Sequence, residues 1–201
     1  MTSRTASPPP APDTLGIAVL GSTGSVGRQT LDVVAHHPDR FRVVALAAGS
    51  NLALLQAQIE HHHPQLVAVD HEPASAGSAI DHATILFGQE GLITAATHPD
   101  VDVVVVATSG HSAIIPTTRA IEAGKTIALA NKETIVCAGE LIVPLARQHG
   151  VAIRPVDSEH SAIWQSLGNA RGQDVARLIL TASGGPFRTM PATDIAKVTV
   201  E

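Results

Sequence analysis

The sequence predicts an α/β protein: a Rossmann-like doubly wound parallel sheet, followed by the start of a second α/β catalytic domain. Two observations lead to this prediction. From Leu15 onward, short runs rich in Val, Ile, Leu and Ala alternate with longer segments of helical period, which is the pattern of repeated βαβ units. The short runs are apolar on both faces, as parallel strands covered by helices should be.

Seven apolar runs are the candidate strands. They are Ile17–Leu20, Val43–Ala47, Leu66–Val69, Val103–Ala107, Ile127–Ala130, Ala152–Val156 and Leu178–Thr181. Two helical faces are predicted between them: Val26, Thr30, Val33 and Val34, and then Ile114, Thr118 and Ile121. Right-handed crossovers bring the carboxyl ends of all the strands to one edge of the sheet, where ligands are expected.

Three segments are expected along the chain. Residues 1–14 are rich in Pro, Ser, Thr and Ala and lack an apolar signal region, so we interpret them as a disordered arm. Residues 15–150 form the first domain, because His149-Gly150 ends a helical segment. Residues 151–201 form part of a second domain, with a short helix near Ala192–Val198.

Composition excludes several classes of function. The 201 residues carry a net charge of −5, which offers no basic field for nucleic acid or for an anionic membrane surface. Only 2% of the residues are aromatic, so a base-stacking surface is not expected. No apolar run is long enough to span a membrane, and the single cysteine, Cys137, fits a reducing compartment. We therefore expect a cytoplasmic protein with a small-molecule substrate.

The turn Gly21-Ser22-Thr23-Gly24-Ser25-Val26-Gly27 follows the first strand and opens the first helix. Gly21 permits the tight turn, Gly24 lets the backbone approach a pyrophosphate, and Gly27 allows close packing of the helix. The free N–H groups of the helix then face the phosphates. This context favours a dinucleotide site over a plain strand-to-helix loop.

The second strand ends in Gly49-Ser50-Asn51, which is neutral and rich in hydrogen-bond donors. NAD-selective sites usually carry an acidic residue at this point to hold the ribose 2′-hydroxyl. Because an acid would repel a 2′-phosphate and this loop contains none, the sequence favours NADP.

Polar residues also follow later strands. Asn131-Lys132-Glu133 comes directly after Ile127–Ala130, where a lysine can hold an anionic or carbonyl oxygen and an amide can orient the nicotinamide. Ordinary helix capping by Asn131, with Lys132 solvated, is the alternative. Ser183 follows the last candidate strand and is suited to a phosphate, or else to a simple glycine turn.

Two carboxylates, Asp157 and Glu159, follow the apolar run 151–156. If the strand continues through them, residues i and i+2 point to one side and can converge on a single ion. Oxygen ligands favour magnesium or manganese. A solvated turn or a helix N-cap is the alternative for the pair taken alone.

Four motifs together resemble the 1-deoxy-D-xylulose 5-phosphate reductoisomerase family: Gly21–Gly27, Ala130–Glu133, Pro155–His160 and Ser183–Phe187. The resemblance covers essentially everything from Leu15 onward. It implies an NADPH-dependent enzyme that uses a divalent metal, manganese or magnesium. Such an enzyme isomerises and reduces 1-deoxy-D-xylulose 5-phosphate to 2-C-methyl-D-erythritol 4-phosphate in the non-mevalonate isoprenoid pathway.

The resemblance also implies roles for individual residues. Residues 15–150 would be the NADPH-binding Rossmann domain, with cofactor contacts from Thr23, Gly24, Ser25, Val26, Gly49, Ser50, Asn51, Asn131 and Glu133. Residues 151–201 would be the partial catalytic domain. The substrate would contact Lys132, Ser158, Glu159 and Ser183, the metal would bind Asp157 and Glu159, and the catalytic residues would be Lys132 and Glu159. Family members commonly have a basic residue where this chain has Ser50.

The family's chain is considerably longer. By the resemblance, this sequence corresponds to its N-terminal half and lacks a third metal carboxylate, a loop over the substrate, an Asn-Lys phosphate clamp and a C-terminal helical domain. Low or no activity is therefore expected from this chain alone, and a homodimer from the complete enzyme. Two alternatives stay open: a non-catalytic NADP-binding module, and another Rossmann oxidoreductase that uses Cys137 as an activated nucleophile.

Overall fold

A computed structural model describes residues 14–71, 83–179, 184–185 and 187–199. The disordered arm predicted for residues 1–14 lies outside this range except for its last residue. The chain divides into two compact units, Met1–Asp157 and Ser158–Glu201. This division lies later than the predicted boundary after Gly150, so the strand after Gly150 belongs to the first unit.

The first unit alternates strands and helices. Its strands are β1 (Leu15–Leu20), β2 (Phe41–Ala48), β3 (Leu66–Val69), β4 (Thr84–Phe87), β5 (Val103–Val106), β6 (Thr126–Leu129) and β7 (Ile153–Pro155). Its helices are α1 (Ser25–His36), α2 (Leu52–His62), α3 (Gly88–Thr97), α4 (Ile114–Glu122) and α5 (Lys132–Gln148). A 3₁₀ turn, His111–Ala113, precedes α4.

All seven strands form one parallel sheet in the order β4-β3-β2-β1-β5-β6-β7. The chain runs outward from β1 through β2, β3 and β4, and then returns to β5 on the other side of β1. The crevice between β1 and β5 is therefore the switch point at which doubly wound sheets bind ligands.

Two apolar cores cover the faces of the sheet. On one face, Leu31 and Val34 of α1 and Leu55 and Ile59 of α2 pack against the sheet. On the other, alanine and isoleucine side chains of α3, α4 and α5 pack against the same strands. The doubly wound α/β architecture predicted from the sequence is confirmed.

Six of the seven predicted strands match observed strands to within two residues at each end. The edge strand β4 was missed because it is short and its side chains are only half buried or exposed. The prediction for Leu178–Thr181 is wrong for Leu178 and Ile179, which are exposed and lie in no strand. An apolar run needs a neighbouring strand to complete its hydrogen bonds, and none pairs with these two residues in the described part of the chain.

The predicted helical face of α1 needs one correction. The buried positions are Gly27, Leu31 and Val34, whereas Val33 is 54% exposed. The spacing of four and three residues between the buried positions is the α-helical period, and Val33 lies off that stripe.

The second unit contains α6 (Ser158–Leu167), a 3₁₀ turn (Gly172–Asp174) and the short helix α7 (Ala192–Ile195). The last of these corresponds to the helix predicted near Ala192–Val198. Among the described residues of both units, no helix is long and apolar enough to cross a membrane.

Candidate functional site

The glycine-rich turn between β1 and α1 has the backbone geometry of a phosphate cradle. Gly21 has a φ of +88°, and an added Cβ would lie 2.5 Å from the Ala107 carbonyl oxygen of the neighbouring strand segment. A Cβ on Gly27 would collide with the Gly21 carbonyl oxygen. Both positions therefore require glycine, one for its φ and both for space.

The amino terminus of α1 is open. Gly24 is its N-cap residue and supplies no side chain to cover the first N–H groups. Uncapped N–H groups and the helix dipole together favour an anion at this position. The turn thus has the donors that a pyrophosphate needs.

Helix α2 supports this turn from behind. The side chain of Gln58 is buried, and its Nε2 donates a hydrogen bond to the Ser22 carbonyl oxygen at 2.9 Å. The backbone N–H groups of Gly21 and Ser22 both donate to the Ala47 carbonyl oxygen at 2.8 Å. The turn is thereby fixed to β2 and α2 before any ligand binds.

A cavity of about 260 Å³ lies over the carboxyl ends of β1, β2, β3 and β5. It is lined by Gly21, Thr23, Gly24, Ala47, Ala48, Gly49, Ser50, Asn51, Asp70, Leu92, Ala107, Thr108, Ser109 and Ser112. Five of the predicted cofactor residues meet here: Thr23, Gly24, Gly49, Ser50 and Asn51. Ser25 and Val26 lie next to it in the first turn of α1.

One buried polar atom of a residue that lines the cavity has no protein partner. Thr108 Oγ1 is shielded from solvent and makes no hydrogen bond to any described residue. Buried hydroxyls are normally satisfied, so this one is suited to a bound molecule. The cradle at Gly21 and Gly24 and the free hydroxyl of Thr108 together fit a dinucleotide.

Asn131 caps α5 and also holds the loop after β5. Its Oδ1 accepts from the Thr134 N–H at 2.8 Å and from Thr134 Oγ1 at 2.7 Å. Its Nδ2 donates to the carbonyl oxygens of Thr108 at 2.8 Å and Gly110 at 2.9 Å. The amide that sequence analysis assigned to the nicotinamide is thus fully used within the protein.

Glu133 lies in the first turn of α5 and contacts the same loop. Its Oε1 accepts a hydrogen bond from the Gly110 N–H at 3.4 Å. Asn131 and Glu133 therefore act together on the Thr108–Gly110 loop, which borders the cavity. Their positions allow them to shape the wall of the cofactor cleft.

Lys132 and Asp157 meet at the carboxyl edge of the sheet. The Lys132 Nζ lies 3.6 Å from Asp157 Oδ2, with the lysine side chain 65% exposed and the aspartate side chain 15% exposed. Lys132 follows β6 and Asp157 follows β7, so the pairing of these neighbouring strands brings the two side chains together.

The prediction that Asp157 and Glu159 lie two residues apart on one extended strand is wrong. Strand β7 ends at Pro155, and Glu159 lies in the first turn of α6, so an extended i, i+2 arrangement does not apply. Within the second unit, Ser158 Oγ donates to Glu159 Oε2 at 2.7 Å. Ser183 lies outside the described residues. No cluster of three or more metal-binding side chains occurs within the described ranges.

Displaced pKa values occur away from the cofactor cavity. A hydrogen bond from Gln65 lowers the pKa of Asp100, near the amino-terminal edge of the sheet. The bond to Glu122 raises the pKa of Arg119 on α4. Burial, and then the nearby charge of His61, lowers the pKa of His62 at the end of α2. None of these three groups lines the cavity.

Sequence analysis missed several residues that line the cavity, chiefly Asp70 after β3 and Thr108, Ser109 and Ser112 after β5. A signal was present, because each group directly follows an apolar strand at the ligand edge. Cys137, by contrast, is exposed on α5 and does not line this cavity.

Family models match most of the chain. The model for 1-deoxy-D-xylulose 5-phosphate reductoisomerase matches residues 17–139, and that for the C-terminal domain of the same enzyme matches residues 153–201. A curated relative from Geotalea uraniireducens, named 1-deoxy-D-xylulose 5-phosphate reductoisomerase, is 55% identical over 193 residues. That match covers 92% of this chain and 49% of the relative.

Solved structures of the same enzyme are also similar to this chain. The 1-deoxy-D-xylulose 5-phosphate reductoisomerase from Zymomonas mobilis in complex with NADPH has a TM-score of 0.81 and 36% identity, covering 94% of this chain and 51% of that one. A DOX-P reductoisomerase in complex with NADPH, fosmidomycin and magnesium has a TM-score of 0.71 and 40% identity. That match covers 75% of this chain and 38% of the other. The chain spans about half the length of the curated relatives it matches.

Proposed function

Since this chain belongs to the 1-deoxy-D-xylulose 5-phosphate reductoisomerase family, we propose that it supplies the cofactor site and part of the metal and substrate site of that enzyme. The reaction is the NADPH-dependent isomerisation and reduction of 1-deoxy-D-xylulose 5-phosphate to 2-C-methyl-D-erythritol 4-phosphate. The observation that most directly supports it is the turn at Gly21–Gly27, in which Gly21 and Gly27 are required by space and the helix terminus has no side-chain cap.

NADPH would bind at the carboxyl ends of the strands. Its pyrophosphate would accept hydrogen bonds from the N–H groups of Ser25 and Val26, with Thr23 and Gly24 beside it, because the Gly24 N–H already donates to the Gly21 carbonyl oxygen at 3.1 Å. Gly49, Ser50 and Asn51 at the end of β2 would hold the adenosine half. Thr108 and the loop held by Asn131 and Glu133 would border the nicotinamide half. In this arrangement Asn131 acts through the position of that loop, because its own amide is already used.

Asp157 and Glu159 are the residues that would hold the metal. The donor set fits a hard cation, since Mg²⁺ is commonly held by one or two carboxylates together with water and substrate oxygens. Magnesium is named with one relative, and manganese is equally suited to these oxygen donors. When bound, the metal polarises neighbouring carbonyl and hydroxyl oxygens of the substrate for rearrangement.

Lys132 and Glu159 are the catalytic residues of the proposal, and Ser158 and Ser183 are its further substrate-binding residues. The Lys132 ammonium is exposed, so a substrate oxygen could replace Asp157 as its partner. Glu159, in the first turn of α6, would serve both metal and substrate. Together these side chains would hold the substrate for hydride transfer from the nicotinamide.

A homodimer of the family-length enzyme and a cytoplasmic location are further parts of the proposal. The dimer is supported by the family membership. The location is supported by the single cysteine, which fits a reducing compartment.

Cofactor titration tests the first part of the proposal. Nicotinamide fluorescence of the 201-residue chain should show tighter binding of NADPH than of NADH. Equal or tighter binding of NADH would contradict the cofactor assignment.

Turnover is tested with a chimera that joins residues 1–201 to the remaining half of the Geotalea uraniireducens relative. With manganese and 1-deoxy-D-xylulose 5-phosphate, the chimera should oxidise NADPH, whereas the 201-residue chain by itself should bind NADPH with negligible turnover. The relative's own full chain is the control. If that control is active and a well-folded chimera is not, this chain does not supply a competent half of the site.

A further inference from the structure

Asp70 places a carboxylate in the proposed cofactor cavity, although the neighbouring loop after β2 contains no acidic residue. It directly follows β3 and lines the same cavity as Gly24 and Ser50. A Cβ built on Gly49 would lie 2.8 Å from Asp70 Oδ2, so the carboxylate rests against the backbone of Gly49. Across the described residues, no side chain hydrogen-bonds or pairs with this carboxylate.

The strand order fixes which part of the cofactor Asp70 faces. The pyrophosphate cradle follows β1, the Gly49–Asn51 loop follows β2, and Asp70 follows β3. Neighbouring strands lie about 4.8 Å apart, so the backbone of Asp70 is about 10 Å from the cradle along the edge of the sheet, and its carboxylate lies between that point and Gly49. That distance passes beyond the ribose, which leaves the adenine base as the group nearest to Asp70.

Charge separates the two groups at the adenosine end of NADPH. An ionised carboxylate only accepts hydrogen bonds, so it repels the 2′-phosphate and attracts a donor. The exocyclic amine of adenine is such a donor. Ser50 and Asn51 carry the hydroxyl and amide donors suited to the 2′-phosphate, and they lie closer to the cradle.

We propose that Asp70 accepts a hydrogen bond from the exocyclic amine of adenine, and that it thereby selects adenine over bases with an oxygen at that position. This inference rests on the proposed NADPH site. It assigns the base end of the cleft to β3, whereas the 2′-phosphate belongs to the loop after β2.

The test compares NADPH with reduced nicotinamide hypoxanthine dinucleotide phosphate, in which a carbonyl oxygen replaces the adenine amine. The wild-type chain should bind NADPH about tenfold more tightly, because the carboxylate loses a charged hydrogen bond and meets an acceptor. Asp70→Ala should weaken NADPH about tenfold and make the two dinucleotides nearly equal. Asp70→Asn should also reduce the preference, since an amide can accept from the amine or donate to the oxygen.

Asp39→Asn is the matched control, because Asp39 is exposed in the loop before β2, at the opposite edge of the sheet. It should keep the full preference for NADPH. Equal binding of both dinucleotides by the wild type would overturn the inference while leaving NADPH binding intact. Tighter NADPH binding by Asp70→Ala, with NADH unchanged, would also overturn it and would indicate repulsion of the 2′-phosphate. If the wild type bound no NADPH, both the proposed function and this inference would be wrong.

Discussion

The ammonium of Lys132 lies 3.6 Å from a carboxylate oxygen of Asp157, although 24 residues separate the two positions in the chain. The pairing of β6 with β7 places both residues just beyond adjacent strand ends. A cation therefore lies beside a proposed metal ligand, so Lys132 would compete with a bound metal ion for Asp157.

Removing this competition should strengthen metal binding. Lys132→Gln is expected to tighten manganese binding about threefold to tenfold, because a positive charge close to the ion is lost. Isothermal calorimetry measures the effect. Lys125→Gln is the control, since Lys125 precedes β6 at the opposite edge and bonds to the Pro99 carbonyl oxygen. Weaker manganese binding in Lys132→Gln would mean that the lysine organises the site instead of competing with the ion.

The two carboxylates should be separable from the cofactor site. Asp157→Asn and Glu159→Gln are each expected to weaken manganese binding about tenfold or more, since each removes one charged ligand. NADPH affinity and the urea midpoint should change little. Glu140→Gln, an exposed carboxylate on α5, should leave all three measurements unchanged. Unchanged metal affinity in both ligand variants would reduce the pair to a solvated turn and helix cap.

Two glycine substitutions should affect different properties, NADPH binding in one case and stability in the other. An added Cβ at Gly24 would lie 3.3 Å from the Gly21 carbonyl oxygen and 3.8 Å from the Ala107 carbonyl oxygen, so it would crowd the turn at which the pyrophosphate is proposed to bind. Gly24→Ala should therefore weaken NADPH binding about tenfold or more. Gly139→Ala, inside α5, should leave NADPH binding intact and stabilise the fold by about 0.5 to 1 kcal/mol. Fluorescence titration and urea unfolding report the two effects, and undiminished NADPH affinity in Gly24→Ala would argue against the cradle.

Asn131 should contribute far more to stability than an ordinary cap. Asn131→Ala is expected to lower the free energy of unfolding by about 2 to 4 kcal/mol, because it removes the cap of α5 and leaves two loop carbonyls without their donor. Asn51→Ala, which loses a single exposed cap bond to Leu54, should cost about 1 kcal/mol. Chemical denaturation compares the two. Equal losses would show that the bonds from Asn131 to the Thr108–Gly110 loop contribute little.

His62 should make stability depend on pH. Burial holds its pKa in the folded state below the usual value of 6.5, so the unfolded chain binds more protons between the two pKa values. Stability is then fully present above the unfolded pKa and falls as the pH drops below it. His62→Gln should show a smaller loss of urea midpoint between about pH 7.5 and about pH 5.5 than the wild type. His37→Gln, at an exposed position, should keep the wild-type slope, and an unchanged slope in His62→Gln would assign the acid sensitivity to other groups.

The sequence by itself determined the α/β architecture and the position of the dinucleotide turn. Both depend on residues close together in the chain. The alternation of strand runs with helical segments predicts the architecture, and the glycines directly after β1 predict the turn. The motifs at Asn131–Glu133 and Asp157–Glu159 were also visible, because each follows a strand end.

Only the tertiary structure decided how these motifs relate to one another. Strand order places Asp70 against Gly49 and Lys132 beside Asp157, and hydrogen bonds across the fold commit the Asn131 amide to the loop after β5. The physical reason is that strand and helix periodicity reflect burial within a single segment. A contact between two segments instead depends on which strands pair, and a side chain's partners depend on what lies across the sheet edge.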